Sequence, residues 1–155
     1  MQDLTKYIDN IVYESSTQIN DKVLGVNFLE KLKYLLIDKI KLFNKNFIKN
    51  IENYQNNKTA KKYGENYLLI KVKTNSDSVS TIKNIVSNDY LSIVVHGSKS
   101  LKIYENSSSK KSFFLNCVTN TGIVISKDTV ISESISKNTI LLDIINIKDN
   151  INVEN

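Results

Sequence analysis

YLSIVVHGSKSLKIY, residues Tyr90 to Tyr104, alternates apolar and polar residues on both sides of a Gly-Ser pair. A period of two is the spacing of a half-buried β-strand, and Gly97 supplies a tight reversal, so the stretch reads as strand, turn and returning strand. In the register set by Gly97, Leu91, Ile93 and Val95 share the apolar face of the first strand, while Ser92, Val94 and His96 share the opposite one. His96 is the only histidine of the chain.

The same period extends in both directions from this hairpin. Eight such segments lie between Asn66 and Ile147: NYLLIKVK, VSTIKNIV, LSIVVH, SLKIY, SFFLNCV, GIVIS, TVISES and TILLDIINI. They are rich in β-branched residues and bounded by turn formers such as TNSD, GSK, ENSSSKK and TNT. Short strands at near-regular spacing predict a small antiparallel β-barrel or jelly roll over 66–147, architectures that leave few exposed sheet edges.

Upstream the period lengthens to between three and four. Leu4, Tyr7, Ile8, Ile11 and Val12 predict a short amphipathic helix reaching about Ile19. A second helix is expected to start at NFLE, where Asn27 can accept from the first-turn amides and Glu30 can reach back. Phe28, Leu32, Leu36, Ile40, Phe43, Phe47, Ile51 and Tyr54 then trace a continuous apolar stripe. Unbroken, it would run roughly 40 Å at 1.5 Å per residue, longer than a small domain is wide. Either NKN at 44–46 interrupts it, or part of it buries against a second copy. The polar, Lys-rich stretch that follows is assigned to a connector at 58–65. The expected organisation is α+β: a helical segment 1–57, the connector, the barrel 66–147 and a polar, frayed tail 148–155.

Composition narrows the function. At 155 residues the chain is the size of one ordinary domain, and 41% hydrophobic with 24% charged residues fits a folded, soluble protein. Ile, Lys and Asn occur 21 times each; Arg, Pro and Trp do not occur. The net charge of +5 therefore rests on lysine alone, whereas a phosphate or guanine reader uses arginine for its bidentate fork. Nucleic acid is not the expected partner. Cys117 has no cysteine to pair with and lies in a strand-like segment, so a buried thiol is expected. MQDLTKYIDN carries no secretory signal, and no apolar run approaches the ~18 residues of a membrane span; the expected setting is the cytoplasm. Four scattered glycines build neither a phosphate loop nor a nucleophile elbow.

SIVVHGSKSLKIY resembles the first conserved strand pair of the cupins, and GIVISKDTVISESISKNTILLDI is similar to their second motif, with Gly97 and Gly122 where the family's structural glycines fall. The likeness covers roughly 66–147 and leaves the helices outside. It implies a cupin-like barrel. Metal-dependent cupins hold a divalent ion with a His-x-His pair, a carboxylate and a third histidine, a set that leaves a position open for substrate. Counted from Gly97, the His-x-His positions fall on Asn84 and Val86 and the carboxylate on Tyr90. In the second motif Ser126 replaces a proline, and Ile131, or with a two-residue slip Glu133, replaces the third histidine. With one histidine, a single subunit cannot assemble that centre, so a metal-free barrel without a cofactor is expected.

Two function classes remain. In the first, the barrel mouth of a binding or regulatory module takes a small polar ligand, such as a sugar or organic acid, through Asn84, Tyr90, Ser92, His96 and Glu133. This module is expected to be a homodimer. In the second, implied by the metal-free sugar-nucleotide isomerases and epimerases among the cupins, His96 or Glu133 acts as base and Tyr90 or Tyr104 as acid. A turn-flanking histidine on a polar strand face is more simply exposed, and no catalytic residue is assigned. A nucleic-acid-binding regulator ranks last, because the helices are too few and too long for a helix-turn-helix. The loop ENSSSKKS, Glu105 to Ser112, offers hydroxyls and lysines to an anion but also reads as an ordinary polar hairpin loop. The metal-free binding module is the expected function.

Overall fold

The structure, a computed structural model, describes residues 5–20, 25–46, 54–63 and 66–147. Helix α1 (Thr5–Thr17) buries Ile8 and Val12, and helix α2 (Val26–Asn46) buries Phe28, Leu29, Leu32, Leu36 and Ile40. That helical spacing is the amphipathic pattern of the sequence. The start of α2 differs from the expected one. Leu29 N–H donates to Gly25 O at 3.0 Å, which places Asn27 inside the first turn. Glu30 pairs with Lys33 at 2.8 Å instead of reaching back. From Phe28 to Ile40 the stripe packs on the chain's own sheet, together with Tyr54. Leu4, Phe47, Ile51, positions 64–65 of the expected connector and the tail 148–155 lie outside the described residues. No helix among the described residues is long and apolar enough to cross a membrane.

The described strands are β1 (Asn57–Tyr63), β2 (Asn66–Thr74), β3 (Val79–Ser80), β4 (Asn84–Ile85), β5 (Tyr90–His96), β6 (Ser98–Tyr104), β7 (Ser112–Val118), β8 (Thr121–Ile125), β9 (Val130–Ile135) and β10 (Ile140–Ile147). They form two antiparallel sheets. The first runs β1-β2-β10-β5-β8; the second runs β3-β9-β6-β7, with β4 also paired to β9. Of the two expected architectures it is the jelly roll that forms: two facing sheets rather than a closed barrel.

Two segments depart from expectation. The described part of the connector, 58–63, belongs to β1, paired residue for residue with β2. Its alternation was hidden because both faces are polar, as befits an edge strand. Thr59 turns to the helices and donates to Asp9 Oδ2 at 3.0 Å, and Lys61 lies over the Tyr13 ring. VSTIKNIV, expected as one strand, forms only β3 and β4. Ser80 pairs with Ser134 and Asn84 with Ile131, so three residues face two across β9 and a bulge divides the strand.

Three layers result. On the outer face of the first sheet, Ile70, Leu91, Ile93, Leu142 and Ile144 meet both helices in the largest core. On its inner face Val94 and Leu141 meet Cys117 of the second sheet, and Ile125 meets Leu101 and Ile131. The first sheet is covered on both sides, which is why β5 and β10 are buried over most of their length. The Cys117 thiol is buried as expected, and burial raises its pKa. Gly97 has φ +105, and a side chain there would run into Thr139, so the hairpin needs glycine. Asn120, Asp128 and Asn138 take positive φ in the later turns, the residue types that tolerate it best.

Candidate functional site

Strand alternation sends Tyr90, Ser92 and Val94 of β5 toward the second sheet. Asp143 of β10 stands directly opposite Ser92 on one side and Lys71 of β2 on the other. From the second sheet β6 contributes Lys99 and β9 contributes Glu133. These residues form one chain of polar contacts across the sandwich. Glu133 Oε2 lies 2.5 Å from Lys99 Nζ. Lys99 Nζ donates to Ser92 Oγ at 2.9 Å, and Ser92 Oγ donates to Asp143 Oδ1 at 2.6 Å. Lys73 Nζ closes the chain on Asp143 Oδ2 at 2.8 Å. Lys99, Ser92 and Asp143 are only 1%, 2% and 4% exposed.

Charges this deep persist only when paired and hydrogen-bonded, and here two ammonium groups balance two carboxylates. Burial pushes the Asp143 pKa upward, but Lys99 and Lys73, with the hydrogen bonds from Lys73 and Ser92, outweigh it and hold the carboxyl below its ordinary value. Asp143 in turn raises the Lys73 pKa against the opposing effect of burial. Burial drives the Tyr90 phenol far above its usual range, so it stays a protonated donor. Lys99 Nζ stands 5.9 Å from the centroid of the Tyr90 ring.

A cleft of ≈ 220 Å³ opens beside this chain, walled by Lys73, Asn84, Tyr90, Ile131, Glu133 and Asp143 among others. The Asn84 amide, in the orientation its neighbours require, donates to the carbonyls of Ile82 and Ile131 at 3.1 and 3.2 Å. Of the residues singled out from sequence, Asn84, Tyr90 and Glu133 come together in this wall. Ser92 lies behind it, held by Lys99 and Asp143.

His96 sits elsewhere. It is the last residue of β5, about 20 Å along the strand from Tyr90 at ~3.3 Å per residue, and it does not line the cleft. Asp89, just before the start of β5, accepts from Lys127 N–H at 2.6 Å. Tyr104 faces the outside of the second sheet, its hydroxyl 3.2 Å from Ser132 Oγ, on the face opposite Glu133. In the ENSSSKKS loop Asn106 Oδ1 accepts from Ser108 N–H and Oγ–H, an ordinary polar turn, and Lys83 Nζ donates to Ser109 O at 2.6 Å.

Lys73, Lys99 and Asp143 were not singled out from the sequence. Their signal was a charged residue inside a strand pattern: Asp143 among the buried residues of TILLDIINI and Lys99 within the hairpin itself.

These residues do not fit a divalent metal. Asn84, Val86, Tyr90 and Ile131 stand where the cupin resemblance puts ligands, and the carboxylates Glu133 and Asp143 already have lysine ammoniums against them. Among the described residues no group of three or more His, Cys, Asp or Glu side chains is placed to hold a metal ion.

No protein-family model matches the chain, and no curated protein matches it either. Solved structures do. The BH2720 protein of Bacillus halodurans is 14% identical and superposes with a TM-score of 0.50, over 74% of this chain and 80% of that one. At that identity the likeness is one of fold. The Cnp3 cupin domain of Schizosaccharomyces pombe is 7% identical with a TM-score of 0.44, over 61% of this chain and 64% of its own. A cupin superfamily protein of Desulfitobacterium hafniense is 13% identical with a TM-score of 0.41, over 60% and 78%. Two helices followed by two facing antiparallel sheets give this chain an α+β, jelly-roll-like fold.

Proposed function

We propose that the protein is a metal-free, cupin-like binding or regulatory module that takes a small polar ligand, a sugar or small organic acid, in the cleft between its sheets. The observation that carries this reading is the charge-balanced chain from Glu133 to Lys73, buried at Lys99, Ser92 and Asp143 and ending in the cleft wall. It supplies carboxylate acceptors from Glu133 and Asp143 beside donors from Lys73 and Tyr90. Hydroxyl groups, which both donate and accept, match such a wall. Ser92 supports the contact set from behind, and His96 stands outside it.

Size favours the same reading. A volume of ≈ 220 Å³ corresponds to about seven waters at ~30 Å³ each, below the ~300–1,000 Å³ of sites for larger ligands. That suits a monosaccharide better than a sugar nucleotide. The isomerase reading also loses its parts: His96 is remote from the cleft, Tyr104 faces away, and Glu133 is engaged by Lys99. The setting this reading assumes is a cytoplasmic homodimer. With the α2 stripe from Phe28 to Ile40 occupied by its own sheet, one surface open to pairing is edge strand β7, where Phe113 and Phe114 are 60% and 61% exposed.

The test is a thermal-shift screen of sugars and small organic acids. A true ligand at a hundred times its Kd stabilises the protein by about 2.7 kcal/mol, and Asn84→Ala at the wall should weaken that response about tenfold. A well-folded sample that answers to no compound in the panel would remove this reading.

A further inference from the structure

The charges around the cleft are already paired with one another. Among the described residues, Lys73, Glu133 and Asp143 are the charged side chains that line it, and Lys99 stands behind them. Lys73 lies against Asp143 and Lys99 against Glu133, so two cations meet two anions. Lys71, across the strand pair from Asp143, does not line the cleft. What the wall leaves over is hydrogen-bonding capacity. Lys99 engages Glu133 through Oε2, and no described donor reaches the other oxygen. Lys73 directs one ammonium N–H at Asp143 and keeps its other donors. The Tyr90 hydroxyl, held protonated by burial, makes no hydrogen bond to a described residue. Ile85, Ile131 and Ile145 supply apolar surface beside these groups.

A ligand charge brought against this wall finds a countercharge only by drawing it from its present partner. The charge then left without a partner at a partly buried site is costly. A hydroxyl group meets no such obstacle: it donates to Glu133 and accepts from Tyr90 or Lys73 while both ion pairs stay intact. We propose that the charge balance of Lys73, Asp143, Lys99 and Glu133 is the specificity device of the cleft. It selects an uncharged polyhydroxyl ligand, a monosaccharide or polyol, over the corresponding acid or amine. Removing one member of the balance converts that selection into a preference for the charge that restores it. This inference rests on the ligand-binding reading of the cleft and narrows the ligand from sugar or acid to the neutral class.

Calorimetric titration with glucose, glucuronate and glucosamine presents one ring with no charge, a carboxylate or an ammonium group, the last two both ionised at about pH 6. Glucose is expected to bind the parent protein about tenfold tighter than either charged analogue, with an affinity that does not change with salt. Glu133→Gln keeps the shape of the wall and leaves one positive charge in excess, so glucuronate should overtake glucose. Lys73→Gln leaves one negative charge in excess, so glucosamine should overtake it instead. Both acquired preferences should shrink as salt is added, because the cleft is open to solvent. Lys73 is half-exposed, so its replacement is the milder of the two and keeps one inversion readable should Glu133→Gln unfold the chain. A charged analogue that equals glucose on the parent protein, or folded variants that keep the parental order, overturns the charge balance as the specificity device and leaves the cleft reading intact. Failure of all three compounds to bind the parent overturns both.

Discussion

The two faces of the first sheet are built by the same strands, residue by alternate residue, yet they solve burial in opposite ways. Toward the helices β2, β5 and β10 present aliphatic side chains such as Ile70, Ile93 and Leu142, which need no partner beyond close packing. Toward the second sheet the same strands present Lys73, Tyr90, Ser92 and Asp143, which need specific partners and find them in Lys99 and Glu133. Replacing a buried ionic set by well-packed apolar residues is often neutral or stabilising. A sheet that can bury one face with hydrocarbon has no stability reason to fill the other with charge. The difference between the faces is therefore one of chemistry: the helix side is packed with hydrocarbon, and the inner side carries a connected set of paired charges.

The largest effect expected from a single substitution tests the inner face. Lys99→Met removes the cation between Glu133 and Asp143 and leaves a buried carboxylate with one partner fewer. The loss of one member of such a set costs about 3–5 kcal/mol, read from urea denaturation. A neutral result would mean that the inner face is held by shape, as the outer one is, and the contrast would be broken. Ile93→Val on the helix side should cost only about 1 kcal/mol, the ordinary loss of one buried methyl group, with no change in the dependence of stability on pH. A pH-dependent loss in this variant would show that the helix side is coupled to the charges behind it.

The same contrast explains what the sequence disclosed. Leu91, Ile93 and Val95 could be assigned to one face of β5 because a period of two is a local property, and Gly97 fixed the register. Counting from that glycine also singled out Asn84 and Tyr90, and a two-residue slip in the second motif singled out Glu133; all three line the cleft. Lys73, Lys99 and Asp143 escaped because their meaning depends on which strands become neighbours across the sandwich, and strand pairing is not written in local periodicity. Asp143 interrupts an otherwise aliphatic strand pattern and was the readable sign of a buried charge. His96 drew attention by its rarity and its place at the turn, but the cleft opens at the Tyr90 end of the same strand. The edge strand β1 was read as a connector because both its faces are polar, so no alternation marked it.

The smallest expected effect is the most specific to the inner face, and it lies in the response to acid and alkali. Asp143 has a folded-state pKa below its ordinary value, so it binds a proton more weakly in the folded chain than in the unfolded one. Its contribution to stability is present above the unfolded value of about 3.9 and is lost as pH falls through the folded pKa. Lys73 has the opposite sign: its pKa is raised, so its contribution is complete below about 10.4 and is lost as pH rises through the folded value. The effect is modest because burial of Asp143 works against the two lysines, and the net depression is what remains. Unfolding free energies measured from about pH 6 down to about pH 3 should fall less steeply for Asp143→Asn than for the parent, and Lys73→Met should flatten the alkaline side. The helix-facing residues of the same strands carry no carboxylate, so Ile93→Val should keep the parental acid slope. Parallel acid slopes for Asp143→Asn and the parent would mean that the lysines do not hold this carboxylate charged, and the contrast between the two faces would lose its electrostatic basis.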